Sequence, residues 1–310
     1  MIEFHAKLLG DGPRNSAFAA AVKKLIVPGQ TIVADIGSGT GFLSFLAQKY
    51  GAKACYLYES DPDLLDLSRK IAQKNNIKNC FYIPGHSTEI KHPVKADLVI
   101  SETLGNYALE ENIIETLADA KRFLKPGGVV VPSNLEQFIV PVTNSRIYYE
   151  TNIWDGIGFD LNFEKAKECA LNNMYVYKVS PSDILGGKDS VKKWDEVVFT
   201  NKEASIRNKK AAWKAEAGAT VYGFAIWWNC TLAPGIAFST SPFAVSTHWD
   251  QIFLPLMSPV KLEVDDILEV DLKSDSRYSV GIRLAWETKV FGAKDGKLKS
   301  EISMDTSKGL

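Results

Sequence analysis

The stretch 31–42 constrains the fold more tightly than any other part of the chain. Thr31-Ile32-Val33-Ala34-Asp35-Ile36 is a short apolar run, Gly37-Ser38-Gly39-Thr40-Gly41 follows it without a spacer, and Phe42 to Tyr50 reads as helix. A strand that turns through a glycine loop straight into a helix is the opening of a βαβ unit, with glycine allowing the backbone conformations the turn demands. The alternation then continues. Ala54 to Tyr58 predicts a second strand, and Asp61-Pro62 opens a helix with an N-cap aspartate and a first-turn proline. Leu64, Leu65, Leu67, Ser68 and Ile71 follow at mostly helical spacing, and Asn75-Asn76 ends that helix. Cys80 to Ile83 and Asp97 to Ser101 predict further strands. Leu109, Ile113, Leu117, Ala120 and Leu124 recur every three or four residues, which predicts a helix with one buried face. Lys125-Pro126-Gly127-Gly128 should end it, ahead of a strand at Val129-Val130-Val131. A series of this kind builds a parallel sheet covered by helices, with ligands bound beyond the carboxyl ends of the strands.

After about Pro132 the period changes from helical to two. Leu268, Val270 and Leu272 alternate with Glu269, Asp271 and Lys273; Val280, Ile282, Leu284 and Trp286 form a second such run, and Asp295-Gly296 supplies a hairpin-type turn. Ala219 to Leu232 is dense in aromatic and β-branched residues. The expected C-terminal part is an antiparallel β-barrel or sandwich, interrupted by a helical excursion at Leu161 to Asn172 between aromatic flanks (Trp154 and Phe159, then Tyr175 and Tyr177). With 310 residues, about two domains are expected, here 1–132 and 133–310.

Composition narrows the function by exclusion. Thirty-six basic against 37 acidic residues leave a net charge of −1, which advertises neither nucleic acid nor an anionic membrane as a partner. No apolar run approaches the roughly 18 residues of a membrane-spanning helix, and the N-terminus lacks the pattern of a signal peptide. Cys55, Cys80, Cys169 and Cys230 are scattered, with no CxxC pair. Reduced thiols in a cytoplasmic protein are expected, and no metal site.

Two features carry chemistry. In the glycine loop, Phe42 stands where a dinucleotide fingerprint would put glycine. Asp35, two residues ahead of the loop, would repel a pyrophosphate and welcome a cation. The loop amides are expected to point outward, and Glu59 at the end of the second strand is placed to bind two ribose hydroxyls. The pattern resembles the loop of class I S-adenosylmethionine-dependent methyltransferases. The second feature is Glu102 and Glu111, nine residues apart, joined by a loop that could turn both carboxylates toward one cavity. Such a pair repels unless a cation lies between, and a planar guanidinium satisfies both edges. Alone, Glu110 and Glu111 read more readily as solvated acids at the start of a helix, where its dipole favours them.

Family resemblance tips the balance. Ser101-Glu102-Thr103-Leu104-Gly105 with Glu111 resembles the double-glutamate loop of protein arginine methyltransferases. Phe238-Ser239-Thr240-Ser241-Pro242 with Thr247-His248-Trp249 resembles that family's threonine-histidine-tryptophan loop. His5-x-x-Leu8-Leu9-x-Asp11-x-x-Arg14 is similar to the segment before its first strand, and the excursion at about 154–177 to its dimerisation arm. The likeness covers almost the whole chain. It implies a Rossmann-like class I methyltransferase domain followed by an antiparallel β-barrel domain with a helical dimerisation arm. The implied activity is S-adenosyl-L-methionine-dependent methylation of arginine in a protein or peptide, by a homodimer. Methylation of a small guanidino compound and a silent binding scaffold are the alternatives. Residue by residue, the resemblance implies that Arg14 pairs with the cofactor carboxylate, that Asp35, Gly37 and Gly39 cradle the cofactor and that Glu59 binds its ribose. Ser87 and Thr88 would fall near adenine, Glu102 and Glu111 would clamp the substrate guanidinium, His248 would pair with Asp11, and Trp249 would wall the arginine channel. Glu111 or the Asp11–His248 pair would take up the released proton. Thr103 and Leu104 replace the family's usual tryptophan and methionine, Leu8 stands where methionine is common, and the aromatic helix that folds over the cofactor is expected only in part.

Overall fold

The computed structural model describes residues 2–309. Two helices, α1 (Ile2–Gly10) and α2 (Gly12–Leu25), precede the first strand. The alternating part then runs β1 (Ile32–Ile36), α3 (Phe42–Lys49), β2 (Ala54–Glu59), α4 (Pro62–Lys74), β3 (Cys80–Pro84), β4 (Ala96–Ser101), α5 (Ile113–Ala120) and β5 (Leu124–Val131). These five strands form a parallel sheet of order β3-β2-β1-β4-β5. The chain lays strands to one side of β1, then crosses to the other side at β4, so the crevice for a ligand opens at the carboxyl ends of β1 and β4. Register decides what lies there. Ile36 is level with Tyr58 in β2 and with Ser101 in β4, so the next residues, Gly37, Glu59 and Glu102, emerge side by side.

The expected caps at α4 are in place. Asp61 accepts from the Asp63 and Leu64 amides at 2.9 and 3.2 Å, Pro62 follows, and Asn75 closes the helix. The helix expected from Leu109 to Leu124 is shorter. Asn112 adopts a left-handed conformation (φ 54°) that cannot continue a helix backward, so α5 starts at Ile113 and Leu109 packs from a turn. At its other end, Lys125-Pro126-Gly127-Gly128 does not act as a spacer between helix and strand. It belongs to β5, whose register slips between Leu124, level with Ala96, and Val129, level with Leu98. An edge strand tolerates proline there because no neighbour needs its missing N–H.

The remaining strands are antiparallel and pair within two sheets. One has the order β7-β12-β10-β6-β8, with β11 paired to β10; its strands are β6 (Asn134–Val142), β7 (Tyr175–Tyr177), β8 (Lys192–Val198), β10 (Ala219–Ala233), β11 (Ile236–Ser239) and β12 (Gln251–Leu262). The other has the order β15-β14-β13-β9, formed by β9 (Ile206–Lys214), β13 (Ile267–Asp275), β14 (Arg283–Phe291) and β15 (Leu298–Asp305). Leu268, Val270 and Leu272 point inward as their period demands. Val280 and Ile282 fall outside β14, because the chain turns at Gly281 (φ 73°). The excursion between β6 and β8 contains α6 (Ser145–Thr151), α7 (Glu164–Leu171) and the short β7; α7 is briefer than the span Leu161 to Asn172 expected of it. One continuous apolar core runs from Phe18 and Val33 through Leu104 and Tyr107 to Trp228 and Trp286, so both parts of the chain are packed on each other. Among the described residues no helix is long and apolar enough to cross a membrane.

Replacing Asp61 by Ala should lower unfolding free energy by about 1 kcal/mol, the usual value of an N-cap. Chemical denaturation of the two proteins measures the difference, and an unchanged midpoint would mean that the cap contributes nothing to α4.

Candidate active site

A cavity opens where the register predicts, lined by the glycine loop, by Asp35, Glu59, Glu102, Thr103 and Glu111, and from above by Phe4, His5, Leu8, Leu9 and Arg14. The glycine loop is shaped by packing. At Gly39 (φ 51°) a Cβ would stand 2.9 Å from the His5 ring, and at Gly41 (φ 82°) it would meet Ser68 and Phe45. Its amides do not point outward as expected. Gly37 and Ser38 donate to the Tyr58 carbonyl at 2.9 and 3.1 Å, Gly39 to Glu59 Oε2 at 2.7 Å, and Gly41 to the Ser38 carbonyl. With those donors already engaged, the loop offers close approach more than anion binding, which suits a ligand carrying positive charge next to Asp35.

The charges in the cavity fit such a ligand. Asp35, Glu59, Glu102 and Glu111 face a single guanidinium, that of Arg14. Asp35 is buried, and burial pushes its carboxyl up to about 6 despite a 2.7 Å hydrogen bond from Ser44 Oγ; Glu59 and Glu102 push the same way. Glu111 lies in the turn ahead of α5, not in the helix as expected; it is exposed and is one of the residues lining the cavity. Crowding by protein atoms, then the charges of Glu102 and Glu110, push it up to about 7. Glu110 braces the turn. Its Oε2 accepts from the Tyr107 amide at 3.2 Å, and its side chain fills the space over Gly105 where a Cβ would clash.

Arg14 is engaged within the protein. Its Nε donates to Glu102 Oε2 at 3.0 Å, Nη2 donates to the same oxygen, and Nη1 donates to Asn15 Oδ1 at 2.7 Å. Glu102 therefore already holds one guanidinium, and two of the five N–H groups of Arg14 remain for another acceptor. Asp11 links the neighbouring elements. Oδ1 caps α2 through the Arg14 amide at 2.9 Å, while Oδ2 accepts from the His248 amide at 2.8 Å and lies 2.7 Å from His248 Nδ1.

Four of the expected residues lie outside the lining of this cavity. Ser87 and Thr88 do not line the cavity. They sit in a single helical turn beside α5, with Ser87 buried and Thr88 Oγ1 2.7 Å from His86 Nδ1. Trp249 does not wall the cavity either. It is buried against Trp228 and Phe238, and its indole N–H donates to the Leu104 carbonyl at 2.9 Å. His248 belongs to a separate opening beside Lys7 and Pro13. Phe4 and Ser44 were missed. The spacing of Phe4 with Leu8, and of His5 with Leu9, was the available signal for a lid helix; nothing in the sequence marked Ser44 as the partner of Asp35.

Comparison with known proteins agrees with this geometry. The family described as "Methyltransferase domain" matches residues 29–197, and that described as "Arginine methyltransferase oligomerization subdomain" matches residues 136–289. The five-stranded sheet, its glycine loop and the cavity at its switch point define a class I methyltransferase fold. The chain belongs to the protein arginine methyltransferase family. It is similar to protein arginine N-methyltransferase 6 of Xenopus tropicalis, 28% identical over 87% of this chain and 83% of that protein. It is also similar to protein arginine N-methyltransferase 1 of Dictyostelium discoideum, 28% identical over 85% and 79%. Among solved structures, the Trypanosoma brucei PRMT1 enzyme-prozyme heterotetrameric complex with AdoHcy superimposes with a TM-score of 0.85 at 22% identity, covering 97% of each chain. Arabidopsis thaliana protein arginine methyltransferase 10 gives 0.82 at 20% identity, covering 99% of this chain and 98% of that one.

The raised carboxyls make stability depend on pH. Asp35 and Glu111 bind protons more tightly folded than unfolded, so the folded state is favoured below their ordinary range and loses that advantage as pH rises toward 6 and 7. Glu111→Gln should flatten the fall in melting temperature between pH 5 and 7.5. An identical slope in the variant would show that Glu111 does not titrate in that window.

Proposed function

We propose that this protein transfers a methyl group from S-adenosylmethionine to a guanidino nitrogen of arginine in protein substrates. The observation that carries the reading is one cavity in which the glycine loop and Glu59 adjoin Glu102 and Glu111. The residues suit the cofactor. Asp35 and the close approach at Gly37 and Gly39 would hold its cationic methionine part, and the two free N–H groups of Arg14 its carboxylate. Glu59 would take the ribose hydroxyls, keeping both oxygens oriented through the amides of Gly39 (2.7 Å) and Asp61 (3.0 Å). When bound, the cofactor supplies an electrophilic methyl on a sulfonium.

The chain's own residues then do the rest. Glu102 and Glu111 grip a guanidinium by its edges and fix which nitrogen faces the methyl, an orientation effect of the kind that dominates in-line displacements. The nitrogen gains a carbon and must shed one proton. Glu111 is the acceptor this reading favours, because it lines the cavity beside Glu102 and no hydrogen bond within the described residues occupies it. His248, paired to Asp11 outside the cavity, serves instead to fix α2 and with it Arg14. Phe4, His5 and Leu8 on α1 line the cavity and would shield a bound ligand from water.

Assembly and compartment belong to the same reading. Ile153, Phe159 and Leu161 expose large apolar side chains on the excursion between β6 and β8, which supports a homodimer made through this arm. Free thiols at Cys55, Cys80, Cys169 and Cys230 suit the cytoplasm, and the balanced charge argues against direct nucleic-acid binding.

Glu102→Gln and Glu111→Gln should each reduce methylarginine formation at least a hundredfold, measured with methyl-labelled cofactor, an arginine-rich protein and hydrolysis of the product. Calorimetric affinity for S-adenosylhomocysteine should stay within about threefold for Glu111→Gln. Loss of cofactor binding in that variant, with the fold intact, would contradict the division of labour.

A further inference from the structure

The loop between Glu102 and Glu111 is irregular, yet it leaves three successive carbonyls, those of Leu104, Gly105 and Asn106, in buried or half-buried positions without strand partners. Buried carbonyls of this kind require donors from elsewhere. They receive them from the antiparallel half. The indole N–H of Trp228, on β10, is shared between the Gly105 and Asn106 carbonyls at 3.2 Å each. Trp249 donates to Leu104, and the Asp250 amide donates to Asn106 Oδ1 at 3.0 Å. We propose that Trp228 is a positioning residue for methyl transfer, setting the separation and orientation of Glu102 and Glu111 through the turn that joins them. The proposal rests on the functional reading above and deepens it.

Trp228 is well placed for this because it is itself immobilised. It is 1% exposed, and its backbone N–H donates to Thr240 Oγ1 at 3.1 Å while its carbonyl accepts from the Thr240 amide at 3.0 Å. Gln251 in turn holds the Thr240 carbonyl at 2.7 Å. The ring meets Trp249 edge-on (centroids 5.0 Å apart, 69°) and Phe238 likewise (5.6 Å, 76°). Phe238 also packs on Phe18 of α2, the helix that carries Arg14. One aromatic cluster thus sets the height of the carboxylate loop and of the guanidinium bonded to Glu102. Beyond the turn, Tyr107 OH donates to Ser274 Oγ at 2.7 Å and Asn112 Nδ2 to the Ser276 carbonyl at 2.5 Å, so the far end of the loop is tied to the other sheet. Trp227, next in sequence, faces the opposite way into a separate cluster with Phe138 and Phe243 and touches none of this. It provides the control.

Trp228→Phe keeps an aromatic ring and removes the shared donor. The expected result is a kcat lowered on the order of tenfold, as for a misplaced catalytic group. Calorimetric affinity for S-adenosylhomocysteine should stay within about twofold, and Trp227→Phe should keep the wild-type kcat. Hydrogen exchange by mass spectrometry, which does not depend on turnover, should show faster exchange across 104–111 in Trp228→Phe only. Equal kcat in the two variants, or unchanged exchange in that segment, overturns the proposal. If Trp228→Phe does not fold, Asn106→Ala on the half-buried turn removes another tie. The same loss of kcat at unchanged cofactor affinity then supports the proposal, and a wild-type kcat overturns it. Absence of methylarginine from the wild-type protein would count against the functional reading, and the exchange comparison would still decide whether Trp228 fixes the loop.

Discussion

Like charges gathered at the ends of parallel strands are the constraint around which this molecule is arranged. The register of β1, β2 and β4 delivers Asp35, Glu59 and Glu102 to one place, and the following loop brings Glu111. Carboxylates at such density repel, and burial makes the repulsion stronger because little water screens it. The chain answers with short, directed contacts: Ser44 on Asp35, the Gly39 and Asp61 amides on Glu59, Arg14 on Glu102. Glu111 has no comparable partner among the described residues, and it is the group whose carboxyl rises to about 7. The deficit of positive charge is a property of the site, and a bound cation is what removes it.

A site under this strain needs a rigid frame, and the frame is the antiparallel half. The parallel sheet can fix Asp35, Glu59 and Glu102 by strand register, but it has no hold on residues 103–112, which leave β4 and return to α5 without regular hydrogen bonding. Strand β10, the segment ahead of β12, and the end of β13 with the residue that follows it supply the missing ties. The apolar core is continuous across the junction for the same reason: Leu104, Tyr107 and Leu109 of the loop are buried in it. The second half is therefore part of the frame that holds this loop, whatever surface it also offers to other molecules.

Much of this could be read from the residues. The glycine loop between an apolar strand and a helix fixed the first unit, and Asp61-Pro62 fixed the start of α4, because both rest on local chemistry that does not depend on distant partners. The carboxylates needed a resemblance to become a site, since a pair of glutamates near a helix start is more often an ordinary solvated pair. What stayed illegible depends on tertiary geometry. The period of Leu109 to Leu124 looked helical, but Asn112 in the left-handed region and the slip in β5 divide it among a turn, a helix and a strand. That the buried Trp249 holds the Leu104 carbonyl through its N–H was not readable from its motif, and Trp228 carried no signal among seven tryptophans. Arg14 read as a cofactor contact, and its bond to Glu102, 88 positions away, has no trace in sequence.

The pairing of Arg14 with Glu102 also bears on how protons and ligands compete for the cavity. With Asp35 near 6 and Glu111 near 7, an empty cavity relieves its excess charge by taking up protons as pH falls through the neutral range. A sulfonium or ammonium beside Asp35, and a guanidinium beside Glu111, supply the same relief without protons, and each favours the ionised carboxylate it meets. Binding must then release protons, and by linkage must weaken as pH falls. Arg14 adds asymmetry: it already neutralises Glu102, so an incoming guanidinium gains most from Glu111. The acid least satisfied in the empty protein is for that reason the one best placed to discriminate a cationic substrate, and to hold its proton afterwards.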